Sequence, residues 1–330
     1  MMKKQEISPG LRALGSQIPE ALFAGRPELS VQIHTDLAEC RELWNRFSPE
    51  KSIYHLWEFR EAWLDVYHYE LFFYTIYEYK EPIALLPLWY SPDDHQFEFF
   101  GGWWLEDNGL FARDGDAELL VSLLPAPGFL NAVELTPSQM TGRVGELLEP
   151  DHPKSYLPLG KYPSIDAYLK TLSKKHRYNL LADYRRILAQ NPRVTEYPLC
   201  EFSRTAPLFA LNKQRFDGED REKSYFFNEG DIRGYDYLFQ RAGRYSYKII
   251  EVTIGSELAA IDLIMTYNGR YYLMTGANNL ERFRGIGYFM IYYEIEDSMK
   301  NGFEILDCSQ IDYGWKHRYF EQKPMYKIRK

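Results

Sequence analysis

The chain has 330 residues, with 39 Lys and Arg against 47 Asp and Glu; a net charge of −8 excludes any general attraction to DNA or anionic membrane and confines a polyanion site to a local patch. Hydrophobic residues make up 45% and charged residues 26%, the balance of a globular protein, and no apolar run approaches the ~20 residues of a membrane span. Cys40, Cys200 and Cys308 are far apart and odd in number, and the seven histidines lack ligand spacing, so neither a disulfide framework nor a metal site is expected.

The length exceeds one ordinary hydrophobic core, which predicts two domains. Residues 1–29 carry Pro9, Gly10, Gly15, Pro19, Gly25 and Pro27 and read as an N-terminal arm. They hold no apolar segment of the kind an export signal needs, so a cytoplasmic location is expected. Apolar residues at helical spacing predict helices over Leu37–Phe47 and Trp57–Tyr67. An antiparallel meander follows: Glu70–Tyr79, Ile83–Tyr90 and Phe97–Phe100. Ala117–Leu124 reads as a short helix and Asn131–Leu135 as a strand. The Pro- and Gly-rich stretch Thr136–Lys161 reads as the crossover, so a first domain of 30–157 and a second of 158–330 are expected.

The second half repeats the sense of the first. Ser164–Thr171, Lys174–Gln190, Thr205–Gln214 and Ile232–Ala242 are predicted helical and Val194–Cys200 extended. Strands Tyr245–Ile254, Leu258–Tyr267 and Tyr271–Thr275 are joined by Gly255-Ser256-Glu257 and by the hairpin signal Asn268-Gly269. A glycine turn, Arg282-Phe283-Arg284-Gly285-Ile286-Gly287, then precedes a helix over Tyr288–Lys300 and a strand over Glu304–Cys308. The fold class that results is α/β, with mixed sheets and helices layered on them.

The turn is the most informative stretch. Its glycines allow close backbone approach, and the helix that follows offers unpaired N–H groups to an anion such as a pyrophosphate. The rival reading is a helix cap with solvated arginines. Lys174, Lys175 and Arg177, with Arg185 and Arg186 further on, form a basic helix that is either a solvated face or a binding surface for an anionic substrate. Asp262 interrupts the apolar run Ala259–Met265, as a solvent-facing strand residue or as a proton acceptor; Asp307, at a strand end, is the other choice for the acceptor. No Gly-x-Ser-x-Gly elbow is present for a serine nucleophile.

From about Arg41 to Lys323 the chain resembles the CelD/BcsL-like acyltransferases with a GNAT domain, relatives of the FemAB peptidyltransferases. The features that carry it are Ser173-Lys174-Lys175-His176-Arg177 leading to Tyr184-Arg185-Arg186-Ile187, Ala259-Ala260, the turn with Arg282, Gly285 and Gly287 on the motif's fixed positions, and Asn301-Gly302-Phe303 to Asp307 followed by Trp315-Lys316 and Phe320. Cys308, Gln310 and Trp315 stand where that family has Phe, Gly and Tyr.

The resemblance implies tandem GNAT-like domains of FemAB-like architecture, the second holding the donor site. It implies acetyl-CoA or a longer acyl-CoA seated on Arg282 to Gly287, a thioester carbonyl polarised by a strand amide, and acceptor-side roles for Trp315 and Lys316; Tyr272 and Tyr313 are the candidates read from the residues for a proton donor to the departing thiolate, with packing as the rival role of each. The expected activity is N-acyl transfer to an amine of a small-molecule or sugar-linked acceptor. The alternatives are a FemAB-like transferase whose donor is an aminoacyl-tRNA, against which the overall acidity weighs, and a non-catalytic acyltransferase-like protein of polysaccharide biosynthesis.

Overall fold

A computed structural model describes residues 25–215 and 224–330, so most of the predicted N-terminal arm lies outside the described residues. The chain divides into two compact units, Met1–His152 with Pro324–Lys330, and Pro153–Lys323.

In the first unit β1 (Leu29–His34) leads to α1 (Leu37–Phe47) and α2 (Trp57–Tyr67). Asp36 caps α1 by accepting the Ala38 and Glu39 amides, which is why the helix starts where it does. Next come β2 (Leu71–Glu78), β3 (Glu81–Ser91), β4 (Gln96–Phe99), β5 (Asn108–Gly109), β6 (Phe111–Ala112), α3 (Ala117–Leu123), β7 (Gly128–Glu134), α4 (Gly142–Leu147) and β8 (Leu148–Pro150). The sheet order is β1-β2-β3-β4-β7, then the C-terminal strand Tyr326–Arg329, then β8. The two helices are held by Arg60, which is buried, donates to the Tyr54 and Phe100 carbonyls and to Asn108 Oδ1, and lies 4.5 Å from the Trp44 ring. Each of the three guanidinium nitrogens thereby has an acceptor, and the Trp44 ring adds a π face.

The second unit runs β9 (Lys154–Pro158), α5 (Ile165–Thr171), α6 (Lys174–Leu188), β10 (Arg193–Pro198), α7 (Ala206–Arg215), α8 (Glu229–Gln240), β11 (Ser246–Ile254), β12 (Glu257–Tyr267), β13 (Arg270–Asn278), α9 (Ile286–Lys300), β14 (Ile305–Asp307) and β15 (Glu321–Lys323). Its sheet order is β10-β11-β12-β13-β14-β9-β15. β10 to β13 form an antiparallel meander, α9 crosses over, and β14 returns parallel to β13. Leu169, Leu180, Ile187, Ala260, Ile264, Ile286, Phe289, Met290 and Ile295 make a core between the sheet and helices α5, α6 and α9.

The predicted helices and meander strands are present in both units, several with the expected ends. Three segments differ. Leu29–His34 is a strand, its Leu, Val and Ile alternating along the edge of β2. The stretch expected to be a crossover loop holds α4, β8 and β9; β8 and β9 include Pro150 and Pro158, which strand ends and edges tolerate. The C-terminal residues, for which the sequence predicts no element, pair with β7 because Ile328 fills that core and Lys330 Nζ donates to the Ser122 and Leu124 carbonyls.

Candidate active site

β13 is nine residues long, yet only Arg270–Tyr272 pair with β14. The cause is local: Leu263 faces Thr275 and Ile264 faces Leu273, so Met274 is an extra residue in β13, a bulge that bends the strand away from β14. Leu273, Met274, Thr275 and Gly276 are consequently half-buried although they lie in mid-sheet. Beyond Tyr272 and Asp307 the two strands are unpaired, and this gap, the wedge, is bordered by the Ser309 hydroxyl donating to the Leu273 carbonyl at 3.3 Å and by Asn212 of α7 donating to the Gly276 carbonyl at 3.2 Å.

β13 runs into the glycine turn. The Phe283 amide donates to the Asn279 carbonyl, the Arg282 amide to Asn279 Oδ1 and the Ile286 amide to the Phe283 carbonyl, while the Phe283 and Ile286 side chains are buried. The turn is therefore anchored at both ends. Gly285 begins α9 at φ 95°, and a Cβ there would lie 2.9 Å from Asp183 Cβ on α6, so conformation and space both require glycine. The amides of Arg284, Gly285 and Gly287 donate to no group among the described residues. They stand at the start of a long helix, where unpaired amides suit an anion, and are called the cradle for that reason.

The two arginines of the turn differ. Arg282 is engaged with Glu257, at 3.2 Å from Nε and 3.1 Å from Nη2, whereas Arg284 is exposed with no partner among the described residues. Helix α6 crosses here, with Tyr184 stacked on Phe289 and Tyr292 and with Arg186 donating to Asp183. The C-terminal half of the basic helix thus borders the cradle. Lys174 and Lys175 are exposed at its other end, about 13 Å along the axis from Asp183. Arg177 is half-buried.

Asp262 is not a solvent-facing strand residue. Its carboxyl leans over Gly276 of β13, where a Cβ would overlap Oδ1, accepts the Ala277 amide, and shares a hydrogen bond with Glu294 of α9. Burial raises Asp262 to about 6, the Glu294 bond and the Ala277 amide holding it back. Burial and the charge of Asp262 push Glu294 well above the usual carboxylate range. Two carboxyls in hydrogen-bond contact cannot both ionise, so the pair holds one proton. Sequence reasoning misses Glu294, although a signal is present: it falls four residues after Met290 on the apolar stripe of α9 that begins at Ile286. Asn278 lies two residues past Gly276 on the same face of β13, its Nδ2 3.9 Å from where a Gly287 Cβ would be, so it stands between the carboxyl pair and the cradle.

Other predicted residues are placed differently. Asp307 is fully buried, 2.8 Å from Lys154 Nζ and 3.8 Å from Arg270, and accepts the Ser309 amide, so its charge is paired within the fold. Tyr272 is buried beside it in the β13–β14 register. Lys316, expected on the acceptor side, is buried and donates to the Cys308 and Gln310 carbonyls, which fixes the loop after β14. Trp315 packs edge-on to Phe320 against the core. Burial pushes the Cys308 thiol well up, so no thiolate is available there. A shallow pocket of about 160 Å³ lies between α5 and His317–Glu321, and none of the wedge, turn or carboxyl residues line it. No His, Cys, Asp and Glu group able to hold a metal occurs among the described residues.

The first unit offers no equivalent cradle among its described residues. Its parallel pair β4 and β7 is bridged by the seven-residue α3, preceded by the short turn Asp114–Asp116 with the single glycine Gly115 rather than by an Arg-x-x-Gly-x-Gly stretch.

Residues 174–317 match the family model of the acetyltransferase (GNAT) domain. Among solved structures the chain is similar to FemX, with a TM-score of 0.56 at 10% identity over 91% of this chain and 97% of that one. It is also similar to the C-terminal domain of a protein described as a lysylphosphatidylglycerol synthetase from Agrobacterium fabrum, with a TM-score of 0.55 at 10% identity over 88% and 92%. A conserved protein of unknown function from Bacteroides thetaiotaomicron gives 0.51 at 11% identity over 91% and 100%. No curated protein matches the sequence. At these identities the likeness is one of fold, and the fold is the expected α/β arrangement of tandem GNAT-like domains with FemAB-like architecture. The residues that match the acetyltransferase (GNAT) model lie within the second unit.

Proposed function

We propose that this protein is an acyl-CoA-dependent N-acyltransferase acting on an amine of a small-molecule or sugar-linked acceptor, of the kind suggested by its likeness to CelD/BcsL-like sequences, and working in the cytoplasm. The observation that carries the reading is that β13, unpaired with β14 beyond Tyr272, runs on into a turn where the amides of Arg284, Gly285 and Gly287 have no acceptor among the described residues. A donor pyrophosphate would sit on those amides with Arg284 alongside, and its extended arm would run into the wedge, where the bulged strand exposes backbone.

The transfer balances without a metal. The acceptor ammonium gives one proton to Asp262, and the free amine attacks the thioester carbonyl. The nitrogen–carbon bond forms, the carbon–sulfur bond breaks, and the second nitrogen proton leaves with the thiolate as the free thiol. Asp262, half-buried at the edge of the wedge, suits the first proton transfer better than Asp307, which is occupied by Lys154. The test is calorimetry of the folded protein with acetyl-CoA and longer acyl-CoAs: binding is expected, and its absence at millimolar ligand rejects the reading.

A second reading keeps the chemistry and changes the donor to an aminoacyl-tRNA. It is favoured by the exposed Lys174, Lys175, Arg185 and Arg186 on the helix that borders the cradle, more cations than a pyrophosphate needs. Charged tRNA would then bind with a steep salt dependence. If replacing Lys174, Lys175 and Arg177 by alanine leaves that binding and its salt slope unchanged, the donor is not tRNA.

A further inference from the structure

The pocket between α5 and His317–Glu321 shares no residue with the turn, the wedge or the carboxyl pair. Its walls are apolar and aromatic. Leu157, Tyr168 and Phe320 are buried, Leu172 is half-buried, and the Tyr162 and Tyr168 rings meet edge-on at 5.4 Å. Two of the hydroxyls in this lining are already engaged with backbone: Thr171 Oγ1 donates to the Tyr168 carbonyl at 2.7 Å, and the Tyr168 hydroxyl donates to the Tyr319 carbonyl. A sugar ring entering here would give up bonds to water for few in return, whereas an aromatic ring gives up none.

His317, Arg318 and Glu321 line the same pocket, and they differ in what they are bonded to. His317 Nδ1 is bonded to Asp312, and Glu321 is held by Lys161 at 2.7 Å and by the Tyr156 hydroxyl at 3.2 Å. Arg318 is exposed, and its guanidinium has no partner among the described residues. The pocket thus combines an apolar floor with one uncommitted positive charge.

We propose that this pocket is a binding site for a small aryl carboxylate, with a single aromatic ring against Leu157, Leu172 and Phe320 and the carboxylate on Arg318. The inference goes beyond acyl transfer, since it needs neither the turn amides nor Asp262.

Size, charge and rigidity support it. The pocket measures about 160 Å³, and an apolar cavity of roughly 150 Å³ takes up benzene, so the volume suits one ring. A guanidinium presents parallel N–H donors that match the two oxygens of a carboxylate. One cation balances one negative charge; a phosphomonoester carries about −1.5 to −2 and would exceed it. The chain that presents Arg318 is set before any ligand arrives. Asp312 accepts the amides of Trp315, Lys316 and His317, and Lys316 Nζ donates to the Cys308 and Gln310 carbonyls, so little ordering is left for binding to impose. Tyr319, which lines the pocket, has its ring 5.8 Å from His176 of α6 and 5.5 Å from Tyr288 in the first turn of α9. One side chain therefore separates the pocket from the helix that starts at the glycine turn.

The experiment is a methyl-detected NMR titration of the full chain, labelled at leucine, with sodium benzoate. Benzamide, acetate and glucuronate serve as probes that lack in turn the charge, the ring and the aromatic character. Near neutral pH benzoate is expected to move the Leu157 and Leu172 methyl resonances with a dissociation constant in the millimolar range, and to bind at least ~10-fold more tightly than each of the other three. Arg318→Gln, at an exposed position with no partner to lose, is expected to weaken benzoate by ~10-fold and to leave benzamide within about threefold. Benzoate binding no tighter than benzamide, acetate or glucuronate, or unmoved Leu157 and Leu172 methyls at about 20 mM benzoate, overturns the proposal. Acetyl-CoA is titrated separately. If it displaces benzoate or moves the same two methyl groups, the pocket is part of the donor site and the proposal falls; if benzoate binds and acetyl-CoA does not, the pocket stands and the acyl-CoA reading is lost.

Discussion

Asp307→Asn tests whether the buried ion pair holds the fold or performs chemistry. Lys154 and Asp307 have side chains 3% and 0% exposed at 2.8 Å, and they join β9 to β14 at the point where β13 begins to leave the sheet. Neutralising the carboxylate leaves an ammonium ion in the same dry site with Arg270 still 3.8 Å from the former charge. Breaking such a pair costs about 3–5 kcal/mol. For a domain of this size that corresponds to a fall of roughly 6–20 °C in the melting temperature of the affected transition. Differential scanning calorimetry of the purified chain measures it, with urea unfolding as the second estimate. The companion double variant, Lys154→Met with Asp307→Leu, removes both charges and should recover most of the loss, because an apolar pair of similar volume avoids the desolvation cost. If Asp307→Asn unfolds within about 1 kcal/mol of the natural chain, the pair is not what holds these strands together and Asp307 returns as a candidate for the chemistry.

Gly285→Val places a branched side chain at φ 95° and a Cβ 2.9 Å from Asp183 Cβ; it should cost ~1–3 kcal/mol of stability and abolish calorimetric binding of acetyl-CoA, and unchanged binding would remove the cradle from the donor site. Arg284→Ala should weaken acetyl-CoA by about tenfold and Arg282→Ala by less than about threefold, since Glu257 already holds Arg282; the opposite ranking would mean that Arg282 swings onto the ligand. In the first unit burial raises Glu98 to about 7, with Trp89 Nε1 donating to it at 2.7 Å. Because the folded value lies above the unfolded one, the folded state binds the extra proton, and the stability from this group is full below about 4.5 and lost as the pH rises through about 7. Glu98→Gln should flatten that decline, worth on the order of 3 kcal/mol, in urea midpoints taken from pH 4.5 to 8; an equally steep decline in the variant would assign it to other groups.

Much of the architecture was legible in the chain because it rests on local patterns. α1 and α2 follow apolar spacing, with Asp36 marking one start; β11 to β13 follow alternation and the Asn268-Gly269 turn; and the cradle follows from glycines placed between strand and helix. β1, β8, β9 and the C-terminal strand were hidden because short edge strands carry little alternation and accept proline, so their pairing depends on what lies beside them.

The residue types were written in the sequence, but the partner of each charge was not. Asp262 and Asp307 look alike as lone carboxylates in apolar strands, yet one meets Glu294 from a helix and the other meets Lys154 from a strand about 150 positions earlier. Arg282 and Arg284 look equivalent in the turn until Glu257 takes one of them. Backbone propensity and hydrophobic period act over a few residues and fix the elements; desolvation and charge pairing act through space. Only the folded chain decided which carboxylate was neutralised within the core and which was left facing the open wedge.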